Sequence, residues 1–175
     1  MKKFNLILII SVILLLIGFY LDNSVINIIS KNRSFILINF FILLSKYYYF
    51  LAVLVALFCI LKKDKESLIN ICLASLFSLV GVYILKEIIK RPRPVLSLIE
   101  ATNYSFPSGH ATFMFALLVV IWYGFKQKYI KYSWLILSVI VAFSRIYLNV
   151  HYFTDVIGGL IFGLIIGKSI IKIRN

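Results

Sequence analysis

The sequence predicts an all-α fold, a polytopic membrane helical bundle with about six transmembrane helices. Hydrophobic residues make up 62% of the 175 residues, and the mean hydropathy is +1.02. The apolar runs approach the roughly 20 residues that a helix needs to cross a hydrocarbon core about 30 Å thick. Most charged residues lie between these runs. Together these features exclude an ordinary soluble globule.

Six apolar segments account for the predicted helices. They are about Phe4–Leu21, Phe35–Leu61, Leu68–Ile89, Ala111–Phe125, Tyr132–Tyr147 and Tyr152–Ile171. The second is too long for one straight span, and Lys46 followed by three tyrosines is typical of a membrane interface. We therefore predict a short interfacial helix over Phe35–Leu44, between the first two spans, and a span over Ser45–Leu61. Because no repeat or linker divides the chain, we expect residues 1–175 to form a single membrane-embedded domain.

The net charge of +13 is distributed along the chain as a signal of membrane topology. Lys and Arg lie mainly at the ends of apolar segments, which favours an orientation signal over nucleic-acid binding. If the N-terminus is cytoplasmic, 11 of the 19 basic residues lie on the cytoplasmic side: Lys2, Lys3, Lys62, Lys63, Lys65, Lys126, Lys128, Lys131, Lys168, Lys172 and Arg174. The positive-inside rule therefore predicts a multi-pass protein of the cell membrane with both termini in the cytoplasm.

Three polar clusters interrupt the apolar chain and hold both of its histidines. The first cluster is Lys86, six further residues, and then Arg93-Pro94. The second cluster is Pro107-Ser108-Gly109-His110. The third cluster is Ser144-Arg145, five further residues, His151, and then Asp155 one helical turn later. With six alternating spans, all of these segment ends fall on the extracytoplasmic side, so we expect the clusters to form one site there.

The residue types in these clusters suit the handling of phosphate. Free N–H groups at a helix start such as Gly109 bind phosphate oxygens. A carboxylate at Asp155 shares a helix face with His151 and can hold one imidazole nitrogen while the other acts as a nucleophile. Each cluster alone also has an ordinary interpretation: a helix cap, a helix-end His–Asp pair, or cations such as Arg91 and Arg93 that reach lipid head groups.

Taken together, the three clusters closely resemble the signature of the type 2 phosphatidic acid phosphatase (PAP2) superfamily. The family pattern of Lys, six residues, Arg-Pro appears as Lys86 to Arg93-Pro94, and its Pro-Ser-Gly-His appears unaltered as Pro107–His110. Its Ser-Arg, five residues, His, three residues, Asp appears as Ser144-Arg145, His151 and Asp155. The order of the three clusters is more specific than any one of them, and no fixed position departs from the pattern.

The resemblance implies a role for each matched residue. His151 would attack phosphorus and form a phosphohistidine, with Asp155 holding its tautomer, and His110 would act as general acid and then as general base. The phosphate oxygens would be held by Lys86, Arg93, Ser108, Gly109 and Arg145. The family needs no divalent metal, which agrees with a chain of two histidines, two cysteines and six acidic residues. We therefore predict no metal and no cofactor.

The resemblance also implies an integral membrane phosphatase that hydrolyses a lipid phosphate or a polyprenyl diphosphate at the outer leaflet. Phosphatidate and phosphatidylglycerol phosphate stay open as substrates beside the polyprenyl diphosphate. Alternatives are a lipid phosphotransferase that uses the same site, a catalytically silent lipid-binding protein, and a vanadium haloperoxidase, whose soluble context this chain does not share. The expected partners are the lipid substrate and the bilayer, with no nucleic acid and no obligatory protein partner.

Overall fold

A computed structural model describes residues 2–174, and these residues form six α-helices. In chain order the helices are α1 (Lys2–Lys31), α2 (Phe35–Leu61), α3 (Lys65–Ile89), α4 (Gly109–Gly124), α5 (Lys128–Tyr147) and α6 (Phe153–Arg174). The predicted all-α class is therefore confirmed. Five helices are long and apolar enough to cross a membrane, whereas α4 is apolar but has only 16 residues.

The outer surface of the bundle is apolar. Leu16 on α1, Leu54 on α2 and Leu79 on α3 each expose about 60% of their surface. An apolar surface of this extent is unfavourable in water and suits a hydrocarbon environment. The exposed residues therefore support the predicted membrane location of the bundle.

The predicted division of the second apolar segment is wrong, because α2 runs unbroken from Phe35 to Leu61. The helix contains no Gly and no Pro, so nothing interrupts its backbone hydrogen bonds at Lys46. A helix of 27 residues is about 40 Å long and exceeds a core about 30 Å thick. Its first turns pack against the end of α5, where the ring centroids of Phe41 and Tyr147 lie 5.0 Å apart. The segment thus extends α2 instead of forming a separate interfacial helix.

The central helix is α4, which packs most extensively against α6 and also contacts α3 and α5. Every residue from Ala111 to Ile121 is buried. Three glycines of α6 allow the two backbones to come close, because a Cβ at Gly159 would lie 2.6 Å from the Ser108 carbonyl oxygen. At Gly167 a Cβ would lie 2.6 Å from the carbonyl oxygen of Ala116. This close approach fixes the start of α4 against the start of α6.

Four helix ends meet at one end of the bundle: the ends of α3 and α5 and the starts of α4 and α6. The loop of residues 90–108 between α3 and α4 lies over this end. It is fixed by backbone hydrogen bonds from Ser105 N to Arg91 O (2.8 Å) and from Leu98 N to Leu148 O (3.0 Å). The loop therefore has a defined path beside the helix ends that carry the polar clusters.

We predict that Gly167→Val destabilises the bundle, because the added side chain meets the Ala116 carbonyl oxygen and the Val119 side chain. Overpacking of this kind costs about 1–3 kcal/mol. Thermal unfolding of the purified protein in detergent measures the effect. The control is Ile165→Val on the same helix, where the side chain is 45% exposed and the change should stay within about 0.5 kcal/mol. Equal unfolding midpoints for the two variants would contradict the close packing of α4 and α6.

Candidate active site

The three polar clusters converge on one cavity of about 780 Å³ at the end of the bundle described above. Six of the eight predicted site residues line this cavity: Lys86, Arg93, Gly109, His110, Arg145 and His151. Ser108 and Asp155 lie directly behind the lining and are fully buried. The expectation that the clusters form a single site therefore agrees with the geometry, whereas the roles of the residues stay predictions.

His151 and Asp155 form a buried pair at the start of α6. The imidazole Nδ1 lies 3.3 Å from Asp155 Oδ2, and only 2% of His151 and none of Asp155 is exposed. The same carboxylate oxygen accepts the Tyr152 backbone N–H at 2.9 Å, which satisfies a free donor at the helix start. A proton on Nδ1 would therefore donate to Asp155, which leaves the Nε2 lone pair facing the cavity.

The five-residue spacing between Arg145 and His151 arises from the way α5 ends. Asn149 adopts a left-handed conformation (φ 58°), which Asn tolerates better than most residues. The chain then turns so that the His151 backbone N–H donates to the Arg145 carbonyl oxygen at 3.2 Å. The Asn149 side chain fixes the turn by donating to Leu96 O at 2.8 Å. The turn thus places the guanidinium of Arg145 and the imidazole of His151 on the same cavity.

Arg93 contacts His151 directly from the loop between α3 and α4. Its Nη1 lies 3.3 Å from His151 Nε2 and donates to Val150 O at 2.5 Å. Its Nε and Nη2 donate to the backbone and side-chain oxygens of Asn103 at 2.8 and 2.5 Å. Lys86, in the last turn of α3, donates from Nζ to Tyr104 O. Both cations are therefore held by carbonyl oxygens at the edge of the cavity.

The start of α4 brings Ser108, Gly109 and His110 to the opposite wall. Ser108 is the N-cap residue of α4, but its side chain makes no capping hydrogen bond. Its buried hydroxyl and the buried Nε of Arg145 have no hydrogen-bond partner in residues 2–174, although buried polar atoms usually have one. The first N–H groups of a helix have no intrahelical partner, and they favour an anion at this position.

Burial and positive charge set the protonation state of His151. Burial lowers the pKa of the His151 imidazole well below its ordinary value, and Arg145, Arg93 and Lys86 lower it further. The imidazole is therefore neutral at pH 7 and keeps a lone pair on one nitrogen. Burial also lowers the pKa of the Arg93 guanidinium, while the charge of Asp155 opposes that shift. These groups combine a neutral imidazole with a strongly positive cavity, which favours a phosphate group beside His151.

Residues of α2 that the sequence motifs did not indicate complete the site. Ser45 accepts a hydrogen bond from Arg145 Nη1 at its hydroxyl, and its carbonyl oxygen lies 3.1 Å from His110 Nε2. The Tyr48 ring packs on the His110 ring with centroids 4.0 Å apart. Ser45 belongs to no recognisable pattern, and Tyr48 is indicated only as part of the tyrosine run that follows Lys46.

Two further charged residues lie behind His151 and were not predicted to belong to the site. Arg91 pairs with Asp155 Oδ1 at 2.6 Å and with Asp22 Oδ2 at 2.6 Å. The sequence predicts that Arg91 can reach lipid head groups, whereas in the structure its side chain turns inward. A signal for Asp22 did exist, because it is the first acidic residue of the chain and lies within an apolar region.

Residues 67–175 match the PAP2 superfamily, and this segment contains all three polar clusters. Phosphatidylglycerophosphatase B of Bacillus subtilis is 39% identical over 93 residues, which cover 47% of this chain and 46% of that protein. An undecaprenyl-diphosphatase of Sulfolobus acidocaldarius is 28% identical over 169 residues, which cover 91% of this chain and 80% of that protein. The chain spans about half the length, or less, of several of the curated relatives that it matches.

A solved structure shares the fold. The crystal structure of a transmembrane PAP2 type phosphatidylglycerolphosphate phosphatase from Bacillus subtilis has a TM-score of 0.82 and 22% identity. The similarity covers 99% of this chain and 96% of that one, so it extends to α1 and α2, which precede the matched superfamily segment. The apolar helices and this similarity identify a multi-pass membrane protein, and the superfamily match over more than half of its length shows that the chain belongs to the PAP2 superfamily.

Proposed function

We propose that this protein is an integral membrane phosphatase that hydrolyses a lipid phosphate or a polyprenyl diphosphate. The observation that carries the proposal is the pair of contacts at His151, with Nδ1 on Asp155 and Nε2 beside Arg93 at the cavity wall. A neutral imidazole that is oriented by a carboxylate and surrounded by cations is suited to attack on a phosphoryl group. Residues 1–175 would act as one membrane-embedded phosphatase domain.

In the first step the Nε2 lone pair of His151 attacks phosphorus and a P–N bond forms. The bond from phosphorus to the leaving oxygen breaks; this is the lipid oxygen of a monophosphate or the bridging oxygen of a diphosphate. Protonated His110 donates its proton to that oxygen. In the second step His110 takes a proton from water, and the water oxygen attacks phosphorus. The P–N bond breaks, inorganic phosphate leaves, and both histidines return to their initial state. One residue thus serves as acid and then as base.

The cations would stabilise the transferred phosphoryl group. Its three equatorial oxygens carry negative charge in the transition state, and fixed donors in a water-poor cavity stabilise that charge. Lys86, Arg93 and Arg145 supply positive charge, and the unpaired Ser108 hydroxyl and the Gly109 N–H supply further donors. No step requires a metal ion.

The proposed substrate class rests on the apolar residues that line the cavity and on the substrates for which similar proteins are named. Ile42, Leu79, Val82 and Tyr83 line the same cavity as the cations, so a charged head group and an apolar chain can bind side by side. Relatives are named for phosphatidylglycerophosphate, undecaprenyl diphosphate and lipid A. Turnover of a panel of these lipids by the purified protein, with analysis of every phosphorylated product, selects among them and separates a hydrolase from a phosphotransferase.

The site is proposed to face the extracytoplasmic side, with both termini in the cytoplasm. The distribution of Lys and Arg supports this orientation. The end of the bundle that carries the cavity would then lie at the level of the outer head groups. A lipid phosphate of the outer leaflet could reach His151 without crossing the membrane.

We expect His151→Ala to abolish phosphate release, because no other imidazole is paired with a carboxylate in residues 2–174. The wild-type protein should remain fully active in EDTA. Phosphate release by protein purified in detergent measures both effects, and circular dichroism with gel filtration verifies that the variant is folded. Undiminished turnover by His151→Ala, or loss of wild-type activity in EDTA, would refute the metal-independent phosphohistidine route.

We expect Arg93→Gln to move the acidic limb of the kcat/KM profile to higher pH. His151 must be neutral to attack, and the positive charge of Arg93 lowers its pKa. Without that charge the pKa of His151 rises, so a larger fraction is protonated at a given pH, and the limb should move to higher pH. Arg93→Lys keeps the charge and should leave the limb near its wild-type position. Identical profiles for the two variants would contradict this electrostatic role.

We expect cysteine labelling to place the cavity outside the cell. In a variant that lacks Cys59 and Cys72, Val95→Cys lies on the loop over the cavity, where Val95 is 96% exposed. Gln127→Cys lies on the loop at the other end of the bundle and is also exposed. A membrane-impermeant maleimide on intact cells should label Val95→Cys and spare Gln127→Cys. The reverse pattern would overturn the proposed orientation.

A further inference from the structure

A buried ion-pair network continues from Asp155 away from the cavity and reaches α1. Asp22 on α1 is 4% exposed and accepts from Arg91 Nη2 at 2.6 Å and from the Thr154 hydroxyl at 2.6 Å. Its other oxygen accepts the Thr154 backbone N–H at 3.0 Å. A carboxylate of the first helix therefore satisfies a backbone donor at the start of α6, where a side chain of α6 itself would normally act.

Arg91 joins this carboxylate to the one that holds His151. Its Nη1 donates to Asp155 Oδ1 at 2.6 Å and to the Thr154 hydroxyl at 2.6 Å. The guanidinium carbon lies 4.2 Å from the centre of the Tyr152 ring, which restricts its position further. With Oδ1 fixed by Arg91, the second oxygen of Asp155 is directed to His151. Asp22 thus contacts Arg91, Arg91 contacts Asp155, and Asp155 contacts His151.

The network is separate from the phosphate-binding cations. Asp22, Arg91, Thr154 and Asp155 do not line the cavity, whereas Lys86, Arg93 and Arg145 do. Arg91 bridges two buried carboxylates, so removal of the Asp22 carboxylate takes away one of the two partners that fix the guanidinium in place. A planar guanidinium can donate hydrogen bonds to two carboxylates at once, whereas the ammonium group of a lysine cannot do so with the same geometry.

Asp22 also lies outside the segment that matches the superfamily, since that segment begins at residue 67. We propose that Asp22 and Arg91 are positioning residues for His151: α1 contributes a carboxylate that fixes Arg91, and Arg91 fixes the Asp155 oxygen that sets the imidazole tautomer. The catalytic part of this inference rests on the proposed function. Its structural part, the dependence of the His151 ring on a residue of α1, does not.

The kinetic test uses Asp22→Asn, which keeps an acceptor for the Thr154 N–H but removes the charge that pairs with Arg91. The kcat for phosphate release should fall by about 10- to 100-fold, the range that a misplacement of up to about 1 Å produces. The KM should stay within about twofold, because the network does not touch the phosphate site. Arg91→Lys should lose less activity than Arg91→Gln. The control is Asn23→Ala, an exposed neighbour on α1, which should keep the wild-type kcat and KM.

A double substitution shows whether the effect passes through Asp155. In an Asp155→Asn background, Asp22→Asn should lower kcat no further, because the carboxylate that it helps to fix is already lost. If Asp22 only stabilised the fold, Asp22→Asn would lower kcat by the same factor in both backgrounds. Wild-type kcat in Asp22→Asn, an unchanged kcat with a raised KM, or additive losses would each overturn the proposal.

A spectroscopic test decides the structural part without turnover. The chain has two histidines, so ¹⁵N-histidine labelling gives signals from only two imidazoles, and a His110→Ala sample assigns them. Asp22→Asn should shift the ¹⁵N signals of His151 and leave those of His110 in place. Unchanged His151 signals would overturn the positioning role. If the wild-type protein releases no phosphate from any lipid, the proposed function fails, and this measurement still decides whether Asp22 orients His151.

Discussion

The close contact between the backbones of α4 and α6 is the constraint on which the site depends. Gly159 lies so near the Ser108 carbonyl oxygen that a Cβ would be 2.6 Å from it, and the Ser108 N–H donates to the Asp155 carbonyl oxygen at 2.9 Å. These contacts join the second polar cluster to the third one directly through the main chain. The start of α4, which offers N–H groups to an anion, is thereby fixed beside His151. Small residues on α6 thus determine the geometry of the site without taking part in its chemistry.

Electrostatics explains why so many charges are buried at one end of an apolar bundle. Lys86 and Arg145 are each 5% exposed, and such cations are costly unless oxygen atoms surround them. Carbonyl and hydroxyl oxygens meet part of this requirement, and a bound phosphate would meet the rest. Burial lowers the pKa of His151, and the same positive charge lowers it further, so the imidazole is neutral. The cations that favour an anion in the cavity therefore also help to keep a lone pair on His151.

The sequence predicted six helical segments and the convergence of the motif residues on one cavity because these signals are local. Hydrophobic length, helix-start residues and the i, i+4 spacing of His151 and Asp155 all act within a few turns. The sequence failed where long-range packing decides the result. The unbroken α2 was missed because aromatic contacts with α5 support its first turns, and the Asp22–Arg91 pair joins positions 69 residues apart. Ser45 was missed for the same reason, since nothing near it in the chain indicates that its backbone contacts His110.

In the proposed mechanism phosphoryl transfer passes through His151, and trapping the phosphorylated intermediate tests this step. The wild-type protein is mixed with a lipid phosphate, quenched in alkali within milliseconds and analysed by mass spectrometry for phosphorylated peptides. We expect phosphate on His151, with formation that is fast enough to precede phosphate release. Phosphate release without any phosphorylated His151, or phosphate on another residue, would rule out this route.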